Sequence, residues 1–143
     1  MAVTEAQDGV VRAVAADGGI PNWQRIVADV EIEEAADGYH FDCVSFTIAR
    51  TPDNDFEDPQ FSLSRAARDA VIELYKTLRA EAGNTIGGFT LEIENSGTYR
   101  FDFSYGKPKR LNGVWDAEKE ARLDNYLVDY KAKLAAPGGQ AAH

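Results

Sequence analysis

The chain has one cysteine, Cys43, two histidines, His40 and His143, and no long apolar run in its 143 residues. A single thiol excludes an intramolecular disulfide and any zinc site built on several cysteines. Two histidines exclude a histidine-rich metal centre. The longest apolar stretch falls well short of the roughly 18 residues that span a bilayer. The first eight residues are acidic, whereas a secretory leader is basic and then apolar. A cytoplasmic protein with no membrane partner is expected. Positive charge is scarce as well: 15 Lys and Arg face 24 Asp and Glu, a net of −9. Binding a nucleic-acid backbone needs cations to neutralise phosphate, so nucleic acid is not the expected partner.

What is present fits a single folded domain. The apolar fraction is 44% and the charged fraction 27%, enough for a core without covalent staples. Residues 1–134 are expected to form one α+β domain and residues 135–143 a flexible tail. The charge is uneven. Residues 1–63 hold three arginines against thirteen acids, a net of −10, and residues 64–143 hold twelve bases against eleven acids, a net of +1. Such asymmetry points to an interaction surface as much as to solubility.

Val3, Val10, Val11 and Val14 recur near helical spacing, and Gly18-Gly19 ends that helix. Residues 23–34 alternate, with Ile26, Ala28, Val30 and Ile32 on one face and Asp29, Glu31 and Glu33 on the other. Asp37-Gly38 marks a hairpin turn into a return strand over 39–50. Its apolar phase slips from Tyr39, Phe41 and Cys43 to Val44, Phe46 and Ile48, so either both faces are covered or a bulge intervenes. Residues 51–62, with two prolines and four acids, predict an irregular loop. Ser62 or Ser64 caps a helix that runs to Ala82 before Gly83. Strands at 89–94 and 99–105 form a second hairpin around Asn95-Ser96-Gly97. A last helix from Asp116 carries Leu123, Leu127, Tyr130 and Leu134. The order α-β-β-α-β-β-α predicts a four-stranded antiparallel sheet with helices on one face. The other face, with Asp29, Glu31, Glu33, Glu92, Glu94 and Asp102, would then be wet and acidic.

Enzyme signatures are absent: there is no phosphate-cradling glycine loop, no dinucleotide fingerprint and no nucleophile elbow. Cys43 reads as an inert mid-strand thiol, with His40 on the opposite face of the strand, exposed or half-exposed. Asp53, Asp55, Glu57 and Asp58 alternate as calcium ligands do, but Pro52, Phe56 and Pro59 interrupt them, and the central glycine and twelfth-position glutamate are missing. Trp23 and Trp115 read as core anchors. No catalytic residue, metal or cofactor is expected.

Several segments occur in a familiar order. They are Ile20-Pro21-Asn22-Trp23-Gln24-Arg25-Ile26-Val27, Leu74-Tyr75-Lys76-Thr77-Leu78-Arg79, Phe89-Thr90-Leu91-Glu92-Ile93, the run from Gly97 to Tyr105, and Trp115. In this the chain resembles the YezG-like (DUF600) immunity-protein family of bacterial polymorphic toxin systems, over roughly residues 3 to 132. The resemblance implies a small cytoplasmic inhibitor of a secreted toxin domain, often a nuclease. The chain departs from the family pattern where Gly106-Lys107-Pro108-Lys109 follows Tyr105 in place of an acidic pair. It departs again at Trp115, which is followed by Asp116-Ala117-Glu118.

The expected function is occlusion of a basic toxin site, of a nuclease or an NAD-consuming enzyme, by an acidic surface. The candidate contacts are Asp53, Asp55, Glu57 and Asp58 in the loop, Phe56 as an aromatic anchor, and Asp29, Glu31 and Glu33 on the first strand. Two other readings stand beside it. One is a small ligand-binding or enzymatic domain with Tyr99, Tyr105 and Tyr126 around a pocket. The other is an acidic chaperone of a basic secreted protein.

Overall fold

Seven consecutive residues of the strand Trp23–Ala35, from Ile26 to Ile32, are buried. That pattern requires cover on both faces, and it decides the architecture. The computed structural model describes residues 2–136. Its elements are α1 (Val3–Gly18), β1 (Trp23–Ala35), β2 (Gly38–Arg50), β3 (Phe56–Glu57), α2 (Arg65–Ala82), β4 (Ile86–Glu94), β5 (Tyr99–Tyr105), a 3-10 turn (Arg110–Asn112), α3 (Ala117–Asp124) and α4 (Tyr126–Ala135). The strands form one antiparallel sheet in the order β3-β2-β1-β4-β5, so β1 is central. The fold is α+β. Of the expected tail, 135–143, Ala135 ends α4, and the residues beyond Ala136 lie outside the described residues.

On one face α1 and α2 cover Ile26, Ala28, Val30 and Ile32 together with Phe89, Leu91 and Ile93. The helices reach the sheet through Val10 and Val14 of α1 and through Val71, Leu74 and Leu78 of α2. Each such side chain contributes about 1.5–3 kcal/mol when fully buried. Ser64 is the N-cap of α2, accepting a hydrogen bond from the Ala67 N–H, and Gly83 at φ 68° ends the helix in the left-handed region.

Four expectations are corrected here. The sheet has five strands, because Phe56–Glu57 of the predicted loop pairs with Ala49 and Arg50 at the edge of β2. Helices cover both faces: on the second, Leu123 of α3 and Tyr126, Leu127 and Tyr130 of α4 pack on Val27, Phe46 and Ile48. The last helix is two helices, broken at Asn125, whose side-chain amide donates to the Ala121 carbonyl at 2.9 Å. Trp115 is 73% exposed and anchors nothing, whereas Trp23 packs against the first core.

The phase slip in β2 has a simple cause. Tyr39, Phe41 and Cys43 pack toward the α1–α2 side, and Val44, Phe46 and Ile48 pack toward the α3–α4 side. Between β1 and β2 the pairing is regular from Arg25 to Ala35, so no bulge shifts it. Where β2 turns polar groups to the first face, they bond to backbone: Thr47 Oγ1 donates to the Gly18 carbonyl at 2.7 Å and Ser45 Oγ to the Phe61 carbonyl at 2.5 Å.

Candidate functional site

The acids of β1 and those of the loop between β2 and α2 have opposite fates. Asp29 is fully buried and Glu31 nearly so. Asp29 Oδ1 takes Arg110 Nη2 at 2.8 Å, and Oδ2 takes Lys119 Nζ at 3.2 Å and the Thr90 hydroxyl at 2.6 Å. Glu31 accepts the Leu111 backbone N–H at 3.0 Å. Arg110 also reaches Asp42 at 3.2 Å and Glu120 at 3.4 Å. Burial works against the Arg110 charge, but the Asp29 bond and the neighbouring carboxylates outweigh it and raise its pKa. The 3-10 turn and α3 are therefore clipped onto the sheet by ions. The expected wet acidic face is corrected: Asp29 and Glu31 are internal and offer no contact to a partner. Glu33 is half-buried, with the Asn112 side-chain amide 3.4 Å away.

Asp53, Asp55, Glu57 and Asp58 are all exposed. The loop that carries them is braced at several points. The Thr51 hydroxyl donates to Asp53 and accepts the Asp55 N–H at 3.1 Å. Arg50 Nη1 donates to Asn54 Oδ1 at 2.5 Å, with Asn54 in the left-handed region at φ 64°. Asp55 pairs with Lys131 of α4 at 2.8 Å, and that hydrogen bond holds its carboxyl below the ordinary value. Phe56 is half-buried. Its ring stands edge-on to Tyr130 at 5.4 Å, with the Arg50 guanidinium 4.7 Å above it. Phe56 thus seats the loop on α4.

A charged cleft of about 220 Å³ lies between Thr90 and Asp102 of the sheet and Arg122, Asp129 and Lys133 of the helices. At its wall Arg25 bonds Glu94 at 2.5 Å and the Tyr126 hydroxyl at 3.0 Å, and that hydroxyl donates to Glu92. Burial raises the Tyr126 pKa and the Glu92 bond adds to it. The three tyrosines expected around one pocket are not gathered. The Tyr99 hydroxyl bonds Asp8 on the α1 side at 2.8 Å, Tyr105 is 60% exposed, and Tyr126 belongs to the opposite face.

Burial pushes the Cys43 thiol up to about 11, so little thiolate forms at neutral pH. His40 is exposed and bonded to Asp37 at 2.8 Å. Among the described residues no cluster of three or more His, Cys, Asp or Glu is placed to hold a metal ion, and no helix is long and apolar enough to cross a membrane.

Sequence reasoning missed the clamp formed by Arg110 and Lys119. Its signal was the basic segment Lys107–Arg110 beside the acidic excess of residues 1–63. The chain matches no protein-family model and no curated protein.

Proposed function

We propose that the protein is a non-enzymatic immunity protein. It binds a bacterial toxin effector and covers a basic active site with the acidic loop from Asp53 to Asp58. Charge favours a nuclease as the target, since such a site must hold phosphate. One observation carries the reading: after the clamp has taken up Asp29, Glu31 and Asp42, the loop presents Asp53, Glu57 and Asp58 outward on a braced backbone. A loop already ordered loses little entropy on binding. Its unpaired charge raises association rates toward a cationic partner. The resemblance to the YezG-like family supports the same role.

The geometry supports one contact set. Asp53, Glu57 and Asp58 face the partner, Asp55 braces the loop through Lys131, and Phe56 holds it on Tyr130. The test spares the bracing residues. An Asp53→Asn, Glu57→Gln, Asp58→Asn variant should fold normally and lose protection when co-expressed with the toxin. Full protection by a folded variant contradicts the loop assignment.

The cleft supports a second reading, a small ligand-binding domain. Arg122 and Lys133 line it without an ion-pair partner among the described residues. Thermal shifts with a panel of small carboxylates and phosphates test it. A ligand that stabilises the wild type and fails on Arg122→Ala would favour this reading.

A further inference from the structure

The sheet ends on β5, and nothing described pairs with its outer edge. The opposite edge is different. There β3 pairs with β2, Gln60 bridges Phe46, the Thr47 N–H donates to the Pro59 carbonyl and the Phe61 N–H to the Ser45 carbonyl. Further along β2, Asp42 is taken by Arg110 and His40 by Asp37. Natural edge strands are usually defended by charged side chains, lysine above all, and by proline, bulges or short length. The seven residues Tyr99–Tyr105 contain neither proline nor lysine, and their two charges, Arg100 and Asp102, are opposite in sign and so can pair across the edge.

The backbone polarity of β5 follows from its hairpin. The Glu94 N–H donates to the Thr98 carbonyl at 2.8 Å, which makes Glu94 and Thr98 a hydrogen-bonded pair. Antiparallel pairs alternate. Arg100 and Asp102 therefore turn their backbone groups toward β4, and Tyr99, Phe101 and Phe103 turn theirs outward. An antiparallel strand added here must pair with those three outward residues.

We propose that a second copy of this chain docks on this edge, β5 against β5, about a two-fold axis at Phe101. In that register Phe101 faces its own counterpart and Tyr99 faces Phe103 of the second copy. All three outward residues then exchange both backbone bonds. On the other face Arg100 lies opposite Asp102 of the second copy, and Asp102 opposite its Arg100. Charge chooses among the neighbouring registers. An axis at Asp102 would set two carboxylates face to face, and an axis at Phe103 would set Asp102 opposite Ser104 and leave Arg100 opposite a glycine. Opposite-charge cross-strand pairs stabilise and like charges destabilise. Arg100 is 77% exposed with a bond only to Glu92, and the exposed Asp102 has no ion-pair partner among the described residues, so both are available. The result is a continuous ten-stranded sheet with an isologous interface.

The test is sedimentation velocity on the full chain over a concentration series. The wild type should associate reversibly to twice the mass of one chain. Asp102→Arg should weaken the dimer about tenfold or more, because two attractive pairs become repulsive. Combining Arg100→Asp with Asp102→Arg should restore it by reversing both pairs together. Arg100→Asp adds a carboxylate beside Glu92, so far-UV circular dichroism must show that every variant is folded, and Asp102→Arg carries the test by itself if the double variant is not. A wild type that stays monomeric throughout overturns the proposal. So does a folded Asp102→Arg variant that dimerises as the wild type does. A folded double variant that stays monomeric overturns the register.

Discussion

Arg110 Nη2 lies 2.8 Å from Oδ1 of Asp29, a fully buried carboxylate on the central strand of the sheet. The acidic first half of the chain and its basic later part thus meet inside the molecule. Part of what reads in the sequence as a charged surface is an internal joint: Asp29 binds Arg110 and Lys119, and Glu31 binds the Leu111 N–H. At the surface, Asp55 binds Lys131. Neither α3 nor α4 contributes a fully buried residue, so that layer is held by half-buried apolar packing of Leu123, Tyr126, Leu127 and Tyr130 together with these ion pairs.

Removing Arg110 should therefore be costly. Arg110→Met leaves Asp29 and Glu31 as buried charges without their main cation, a loss of about 3–5 kcal/mol. Equilibrium urea unfolding measures it. A second substitution, Asp29→Asn, should recover part of the loss. A cost under about 1 kcal/mol would contradict the clamp.

Two glycine-to-alanine changes should have opposite signs. At Gly88 a Cβ would stand 2.1 Å from the Val30 carbonyl oxygen, so Gly88→Ala must push β4 from β1 and cost about 1–3 kcal/mol or more. Gly9 lies inside α1 with nothing within 4 Å of an added Cβ, so Gly9→Ala should stabilise by about 0.5–1 kcal/mol. Thermal melts of the two variants, moving in the same direction, would contradict this.

His40 should titrate above the ordinary histidine value, because its hydrogen bond to Asp37 favours the protonated ring. The raised folded pKa sets the sign. The pair stabilises the hairpin end at low pH, fully so below the unfolded histidine value, and the gain is lost as pH rises through the folded one. An NMR titration of the imidazole checks it, and Asp37→Asn should return His40 toward its ordinary value. An unchanged titration in that variant contradicts the pairing.

The order of the acidic loop should depend on Phe56. Phe56→Ala removes the edge-on contact with Tyr130 and the Arg50 guanidinium above the ring. A loss of about 1 kcal/mol speeds local opening about fivefold. Amide exchange from Asp53 to Glu57 should rise by that factor while the β1 amides keep their protection. Equal acceleration in both places would show global destabilisation instead.

Local features of the fold were legible in the sequence. Ser64 and Gly83 bound α2 as capping chemistry requires, and the alternation from Tyr99 to Tyr105 is a strand. The covered second face was not legible. Alternating Asp29, Val30, Glu31 and Ile32 gives the same pattern whether the acids meet water or a buried cation, and the deciding residue, Arg110, comes 81 positions after Asp29. The break at Asn125 was hidden because Leu123, Leu127, Tyr130 and Leu134 keep a helical period across it. Edge strand β3 is two residues long, too short for any periodicity. The loop acids were found from composition and spacing, but their bracing depends on Lys131 and Tyr130, which are distant in the chain.

The most direct test of the proposed function is capture from the source organism with the tagged wild type and with the Asp53→Asn, Glu57→Gln, Asp58→Asn variant. Recovered proteins would be identified by mass spectrometry and assayed for toxicity free and bound. The expected result is a basic toxin domain held at one-to-one yield, silent in the complex, recovered poorly as salt rises and lost with the variant. A small molecule retained with no protein partner, or a toxin bound equally by the folded variant, would contradict the claim that the acidic loop is the inhibitory surface.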